Sequence, residues 1–209
     1  LLGDVPNVLL ISPKKHPDIK TCADLLKLAR AKPGSMNYAS TGNGASGHLA
    51  GAQFANAAKI NVVHVPYRGQ GPAMAALLAG DVDFFFNQSA AAINAVKGGQ
   101  ATAIAVTTLK PIAALSDVPT VAASCDLPGF ESSTWYGLFA PAGIPTDIAK
   151  KMSAAVIQII TEPGFKQWLI DTQGITPAED SSPEAFARIH RADIKKWADI
   201  VRMSGAQVD

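Results

Sequence analysis

The stretch MNYASTGNGASGHLAGAQFANAA, residues 36–58, decides the fold. It reads as a short strand over 36–40, a glycine-rich turn from Gly42 to Gly47, and an amphipathic helix over 48–58. Taken literally, the turn spells G-x-G-x-x-G, the dinucleotide fingerprint. The physics beneath that spelling is more general. A glycine turn that feeds a helix N-terminus aims free backbone N–H groups at one spot, and the helix dipole favours negative charge there. The N–H groups of Gly44 to Gly47 are the expected donors, with Ser40, Thr41, Asn43 and Ser46 side chains beside them. One carboxylate can accept several such bonds without any Arg or Lys. The bland reading is that Thr41 and Ser46 only cap the helix and the glycines only make the turn.

Upstream, the apolar run over 7–12 (NVLLIS) reads as a buried strand closed by Pro13. A helix over 17–31 follows and stops at Lys32-Pro33-Gly34. Downstream, 60–67 (INVVHVPY) is a second β-branched strand, and Pro72 opens a helix with Met74, Leu77 and Leu78 on its apolar stripe. Strands are expected over 82–86, 101–107 and 134–140, and a short helix over 90–97. Residues 8–130 therefore alternate strand and helix, which predicts an α/β unit with a mostly parallel sheet. From about residue 142 the pattern is helical, over 145–161, 163–173 and 183–204, with one extended piece near 175–178. These helices have no sheet of their own. They are expected to belong to a lobe whose sheet lies upstream of Leu1, and the start in mid-pattern without Met reads as a cut.

Composition narrows the classes. The chain has 209 residues, 48% of them hydrophobic and 17% charged, which supports a large core and argues against disorder. A net charge of +1 provides no field to attract nucleic acid. No apolar run approaches the ~20 residues of a membrane span. Cys22 and Cys125 lack metal-ligand spacing and are read as two separate buried thiols in preference to a disulfide. Trp135, Trp168 and Trp197 are assigned to the core.

An NAD site requires Asp or Glu at the end of the second strand. Here the residues are Val65-Pro66-Tyr67-Arg68, so only an Arg68-bound 2′-phosphate would keep a nucleotide reading alive. Thr41, Tyr67 and Asn87 all fall at carboxyl ends of strands, where ligands collect in open α/β sheets. His48 lies in the helix first turn, with His16, His64 and His190 scattered, so it is expected to bond backbone and not a metal. No G-x-S-x-G or H-E-x-x-H occurs. Asp81 and Asp83 are expected to face solvent.

Several segments together carry a resemblance. Asn37 to Gly44 with His48-Leu49-Ala50-Gly51, Val65 to Gly69, 77–86 (LLAGDVDFFF) and 136–145 (YGLFAPAGIP) resemble Bug-type solute-binding proteins of the tripartite tricarboxylate transporter system. The resemblance spans nearly the whole chain. It implies a type II periplasmic-binding-protein fold, with a small carboxylate held between two α/β lobes by backbone N–H groups and water. It places Thr41, Asn43, Gly44, Ala45, Ser46, His48, Tyr67 and Asn87 at the ligand. Ala45 and Gly47 stand where members often carry Ser or Thr, so Gly47 completes the dinucleotide spelling by coincidence. Members carry about a hundred further residues ahead of such a segment, by the same resemblance.

The resulting expectation is a nearly complete ligand-binding lobe over 8–131. Residues 1–7 and 132–209 supply hinge strands and C-terminal helices of a second, truncated lobe. The protein is expected to be a periplasmic binder without catalysis, cofactor, metal or nucleic acid. Its partners would be a small carboxylate and, transiently, membrane transporter subunits, with self-association through exposed apolar surface. The alternatives are an effector module of a LysR-type regulator and an NADP-dependent oxidoreductase.

Overall fold

The computed structural model describes residues 1–206. Strand β1 (Gly3–Val5) is separated from β2 (Asn7–Ile11) by Pro6 alone. Helix α1 (Cys22–Ala31), β3 (Met36–Ser40), α2 (Ser46–Ala58), β4 (Val62–Pro66), α3 (Gln70–Ala79) and β5 (Phe84–Gln88) follow. Next come α4 (Ser89–Lys97), β6 (Thr102–Val106), α5 (Val121–Ser124) and β7 (Thr134–Tyr136). The chain ends with α6 (Thr146–Thr161), α7 (Pro163–Trp168), β8 (Thr176–Pro177) and α8 (Pro183–Ser204).

Five strands form one sheet in the order β4-β3-β5-β2-β6. β3 runs parallel to β4 and β5, but β2 is antiparallel to both β5 and β6. The sheet is therefore less parallel than the alternating pattern suggests. β2 has no helix before it and enters from β1, so no crossover constrains its direction. Its reversal brings the first residue of β2, Asn7, opposite Gln88, beside the carboxyl ends of the other strands.

Both sheet faces are buried, which is why β2 and β5 read as unbroken apolar runs. Leu9, Ile11, Phe84 and Phe86 point to one face, with α1 and α2; Val8, Leu10 and Phe85 point to the other, with Leu77 of α3 and Ile93 of α4. Phe54 anchors α2 by meeting Phe84, Phe86 and Phe130 edge-on. Helix α1 starts at Cys22, five residues later than expected. Thr21 and Asp24 form a reciprocal capping box there, satisfying two backbone donors.

Cys22 and Cys125 are joined in a disulfide, not separate as expected, bridging the first residue of α1 to the end of α5. The bridge closes 103 residues, a separation at which spacing carries no signal of pairing. Asp83 also departs from expectation. It is only 2% exposed, accepts from the Asn37 N–H at 2.6 Å, and lies 3.0 Å from Lys15 Nζ and 2.5 Å from His16 Nε2. A charge buried at a strand start needs such partners, and they arrive from β3 and from the loop after β2.

The C-terminal part contributes one strand. Thr176 and Pro177 pair with Asp4 and Gly3, and β1 pairs with β7, giving a three-stranded antiparallel sheet β7-β1-β8. The strand expected over 134–140 ends at Tyr136, and the helix expected over 163–173 changes to a π-type turn at Leu169–Gln173. The tryptophans are not core. Trp168 is 46% exposed, and Trp135 and Trp197 are half-buried. Around them Leu138, Phe139, Met152 and Ile194 are exposed too, so this region buries its apolar side chains incompletely.

Candidate functional site

The site follows from the close approach of α2 to β5. A Cβ on Gly47 would sit 2.3 Å from the Phe86 carbonyl oxygen, so only glycine lets the helix start there. The third glycine of the dinucleotide spelling thus has a packing role that needs no nucleotide. Gly42 and Gly44 adopt positive φ, 144° and 72°, which the turn requires. The helix begins at Ser46 after Ala45, which has no side chain to cap it.

Not all the expected donors are free. The Gly44 N–H donates to His48 Nδ1 at 3.1 Å, and the Ala45 N–H to the Gly42 carbonyl at 3.3 Å. The first-turn N–H groups of Ser46, Gly47 and His48 lie ahead of the helix ladder, whose first bond is Leu49 N–H to the Ala45 carbonyl. The donor set therefore sits one to two residues later than the sequence suggests.

A cleft of about 330 Å³ opens in front of this turn. Thr41, Ala45, Ser46 and Gly47 line one side, and Phe86, Asn87 and Gln88 at the end of β5 form the floor. Gln70 from the start of α3 and Thr134, Trp135 and Tyr136 of β7 complete it. None of these residues is charged. Asn87 is 2% exposed and its Nδ2 has no hydrogen-bond partner. A buried amide donor left unpaired is costly, and this one borders the cleft. Ser46 Oγ donates to Asn7 Oδ1 at 3.3 Å, while Asn7 Nδ2 donates to the Ser132 carbonyl. Asn7 thus links the helix start to the segment before β7.

Of the eight expected site residues, Thr41, Ala45, Ser46 and Asn87 meet in this cleft. Gly44 lines an adjoining cavity of about 390 Å³, together with Ser46, Trp135, Asp193 and Trp197. Asn43 is exposed on the loop, and Tyr67 packs against the core beneath α3. Burial, with Asp81 as a lesser cause, raises the Tyr67 pKa.

His48 is buried behind the loop and does bond backbone, through Gly44. It is not isolated, however: its ring stacks on His64 with centroids 3.8 Å apart. Burial lowers both pKa values, His64 to about 4, with His48 adding to that shift. Asn7, Gln70, Gln88, Thr134, Trp135 and Tyr136 were not anticipated. Only Gln88 had a signal, as the neighbour of Asn87 at a strand end. The described residues hold no group of three His, Cys, Asp or Glu suited to a metal, and no helix long and apolar enough to cross a membrane.

Comparison with known proteins places the chain. Residues 2–206 match the family described as the tripartite tricarboxylate transporter family receptor. The chain is 34% identical over 205 residues to the "UPF0065 protein in tcbD-tcbE intergenic region" of Pseudomonas sp. strain P51, covering 96% of this chain and 59% of that protein. Among solved structures, R. palustris Rpa4515 with adipate superposes with a TM-score of 0.89 at 28% identity, over 98% of this chain and 67% of that one. MatC (Rpa3494) from Rhodopseudomonas palustris with bound malate gives 0.83 at 28% identity, over 96% and 68%. The chain thus shares the α/β architecture of these solved structures and of the periplasmic binding protein BugD, with a TM-score of 0.86 at 26% identity over 99% of this chain and 68% of that one.

Proposed function

Because the chain belongs to the tripartite tricarboxylate transporter receptor family, we propose that it is the ligand-gripping part of a periplasmic solute-binding protein that captures a small carboxylate and has no catalytic role. The observation that carries this reading is the pairing of Asn87 with the α2 turn. An unpartnered buried amide and the first-turn residues Ser46 and Gly47, whose N–H groups lie ahead of the helix ladder, border a cleft without charged lining. Such a cradle satisfies a carboxylate by neutral donors and the helix dipole, and it rejects cations. Rpa4515 with adipate and MatC with malate make dicarboxylates the first ligands to try.

Residues 8–131 would act as one lobe, with residues 1–7 and 132–209 belonging to a second. The β1–β2 and β6–β7 connections would be the hinge between them, and binding would close the lobes. The Cys22–Cys125 disulfide supports an oxidising compartment and hence the periplasm. The filled receptor would deliver its cargo to the membrane subunits of a tripartite transporter. No nucleotide is needed to explain the glycine turn, and Arg68 stands exposed with no acidic residue at the end of β4.

Isothermal calorimetry with adipate, malate, citrate and an aromatic acid tests the reading. Heat that saturates at one site per chain is expected for at least one acid. Silence from all of them, in this chain and in a longer form carrying the second lobe, would sink it.

A further inference from the structure

His48 of α2 and His64 of β4 lie face to face behind the carboxylate loop, with planes only 6° apart and centroids at 3.8 Å. Each ring holds a different glycine of that loop. His48 Nδ1 accepts the Gly44 N–H at 3.1 Å. His64 Nε2 lies 2.6 Å from Ser40 Oγ, which in turn donates to the Gly42 carbonyl at 3.0 Å and accepts the Gly42 N–H at 3.2 Å. With the hydroxyl proton directed to Gly42, His64 must donate from Nε2. The pattern assigns both rings to the Nε2–H tautomer with Nδ1 bare.

We infer that the stacked imidazoles are positioning residues that fix the loop in its ligand-ready form when neutral, and that acid releases Gly44. This rests on the carboxylate reading only for what the loop grips. The pair and its titration belong to the chain without ligand.

A proton must add at a bare Nδ1. In His48 that atom is the acceptor for Gly44, so the protonated ring presents a donor to a donor and the bond is lost. In His64 the new charge lies against the neighbouring ring. Nothing nearby compensates it. Helix α2 and strands β3 and β4 contain no Asp or Glu. Tyr38 stands 5.0 Å from His64, donates to the His48 carbonyl, and is kept neutral by burial. Lys59 and Arg68, at the ends of α2 and β4, are cationic and exposed. Just before β5, Asp83 is committed to Lys15 and His16; from α8, Asp193 is committed to Trp135, with His190 beside it on the adjoining cavity.

The sign follows from the direction of both shifts. A histidine whose folded value is depressed stabilises the fold above its ordinary range near 6.5, and that contribution is lost as pH falls toward the folded value. For His64 that window extends down to about 4.

Amide NMR on the ligand-free chain between neutral pH and roughly pH 4 tests the inference, with His48→Asn beside the wild type. Asn offers Oδ1 where the ring offers Nδ1, and it cannot titrate. In the wild type the Gly44 amide should shift with a midpoint below 6.5, and its protection against exchange should fall about tenfold or more across the same range. In His48→Asn the shift should be flat and the protection retained. A Gly44 signal indifferent to pH in the wild type, or titrating equally in His48→Asn, would overturn the inference. If His48→Asn does not fold, His64→Gln serves. His48 keeps its bare Nδ1 in that variant, so the Gly44 amide should still titrate and lose protection in acid, and a Gly44 signal indifferent to pH counts against the inference. Failure of every carboxylate in calorimetry would leave these resonances untouched, so the two readings fail separately.

Discussion

The Trp135 indole N–H donates to Asp193 Oδ2 at 2.7 Å, tying the last strand before the helical part to the middle of α8. The indole also packs edge-on against Phe186 at 4.8 Å. Trp135 lines both the cleft and the adjoining cavity. Its fluorescence should therefore report ligand entry, whereas Trp168 on α7 lies outside both. Asp193→Ala should loosen the indole and cost about 1–2 kcal/mol, since a charge-assisted bond is lost at a half-buried site. Chemical denaturation followed by tryptophan emission measures both effects.

Asn87→Leu removes the unpartnered amide donor and leaves the ligand one hydrogen bond short. Affinity for adipate or malate should fall at least tenfold, about 1.4 kcal/mol. Circular dichroism should change little, because the Asn87 amide N–H₂ supports no internal bond. Undiminished affinity by calorimetry would remove Asn87 from the site.

Gly47→Ala tests the helix–strand approach. The added methyl meets a backbone carbonyl, which cannot swing aside as a side chain can. We expect a loss of about 1–3 kcal/mol, with weakened carboxylate binding, because α2 must retreat from the floor of the cleft. A thermal melt and a titration on the same sample distinguish the two effects.

Breaking the Cys22–Cys125 bridge, by reduction or by Cys22→Ala with Cys125→Ala, should destabilise the fold by about 2–5 kcal/mol. The bridge is remote from the cleft, so ligand affinity at a temperature where the chain stays folded should be unchanged. Urea unfolding with and without reductant gives the comparison.

The exposed apolar side chains Leu138, Phe139, Met152 and Ile194 predict concentration-dependent self-association of this chain. Sedimentation velocity should show it, and Phe139→Ser should reduce it. A monomer at high concentration would argue against the expectation.

Where the signal was local, the sequence was readable. Met36–Ser40 and Pro183–Ser204 fall where the periodicity and the proline at the helix start put them. The strand, turn and helix were legible, yet two of the four expected backbone donors are taken, Gly44 by the His48 ring and Ala45 by the Gly42 carbonyl. What escaped notice depends on pairings between distant residues. Cys22 with Cys125, His48 with His64, and Asp83 with Lys15 are set by strand order, and no spacing rule encodes that order. Asn7 was missed for a related reason: alternating strand and helix implies parallel strands, and only the reversal of β2 brings its first residue beside the carboxyl ends of the other strands. Tyr67 fits the strand-end rule, yet its ring packs away from the cleft.

The single residue between β1 and β2 has a mechanical consequence. Pro6 has a fixed φ, and its carbonyl is held by the Ser89 N–H at 3.0 Å. The crossing between the two sheets is thus a stiff pivot with almost no slack. A tilt of the small sheet must reach the next residue, Asn7, and through Asn7 the Ser46 hydroxyl at the mouth of α2. Under the proposed carboxylate reading, torque applied at the pivot and tension on the anion would be two readings of one lever arm.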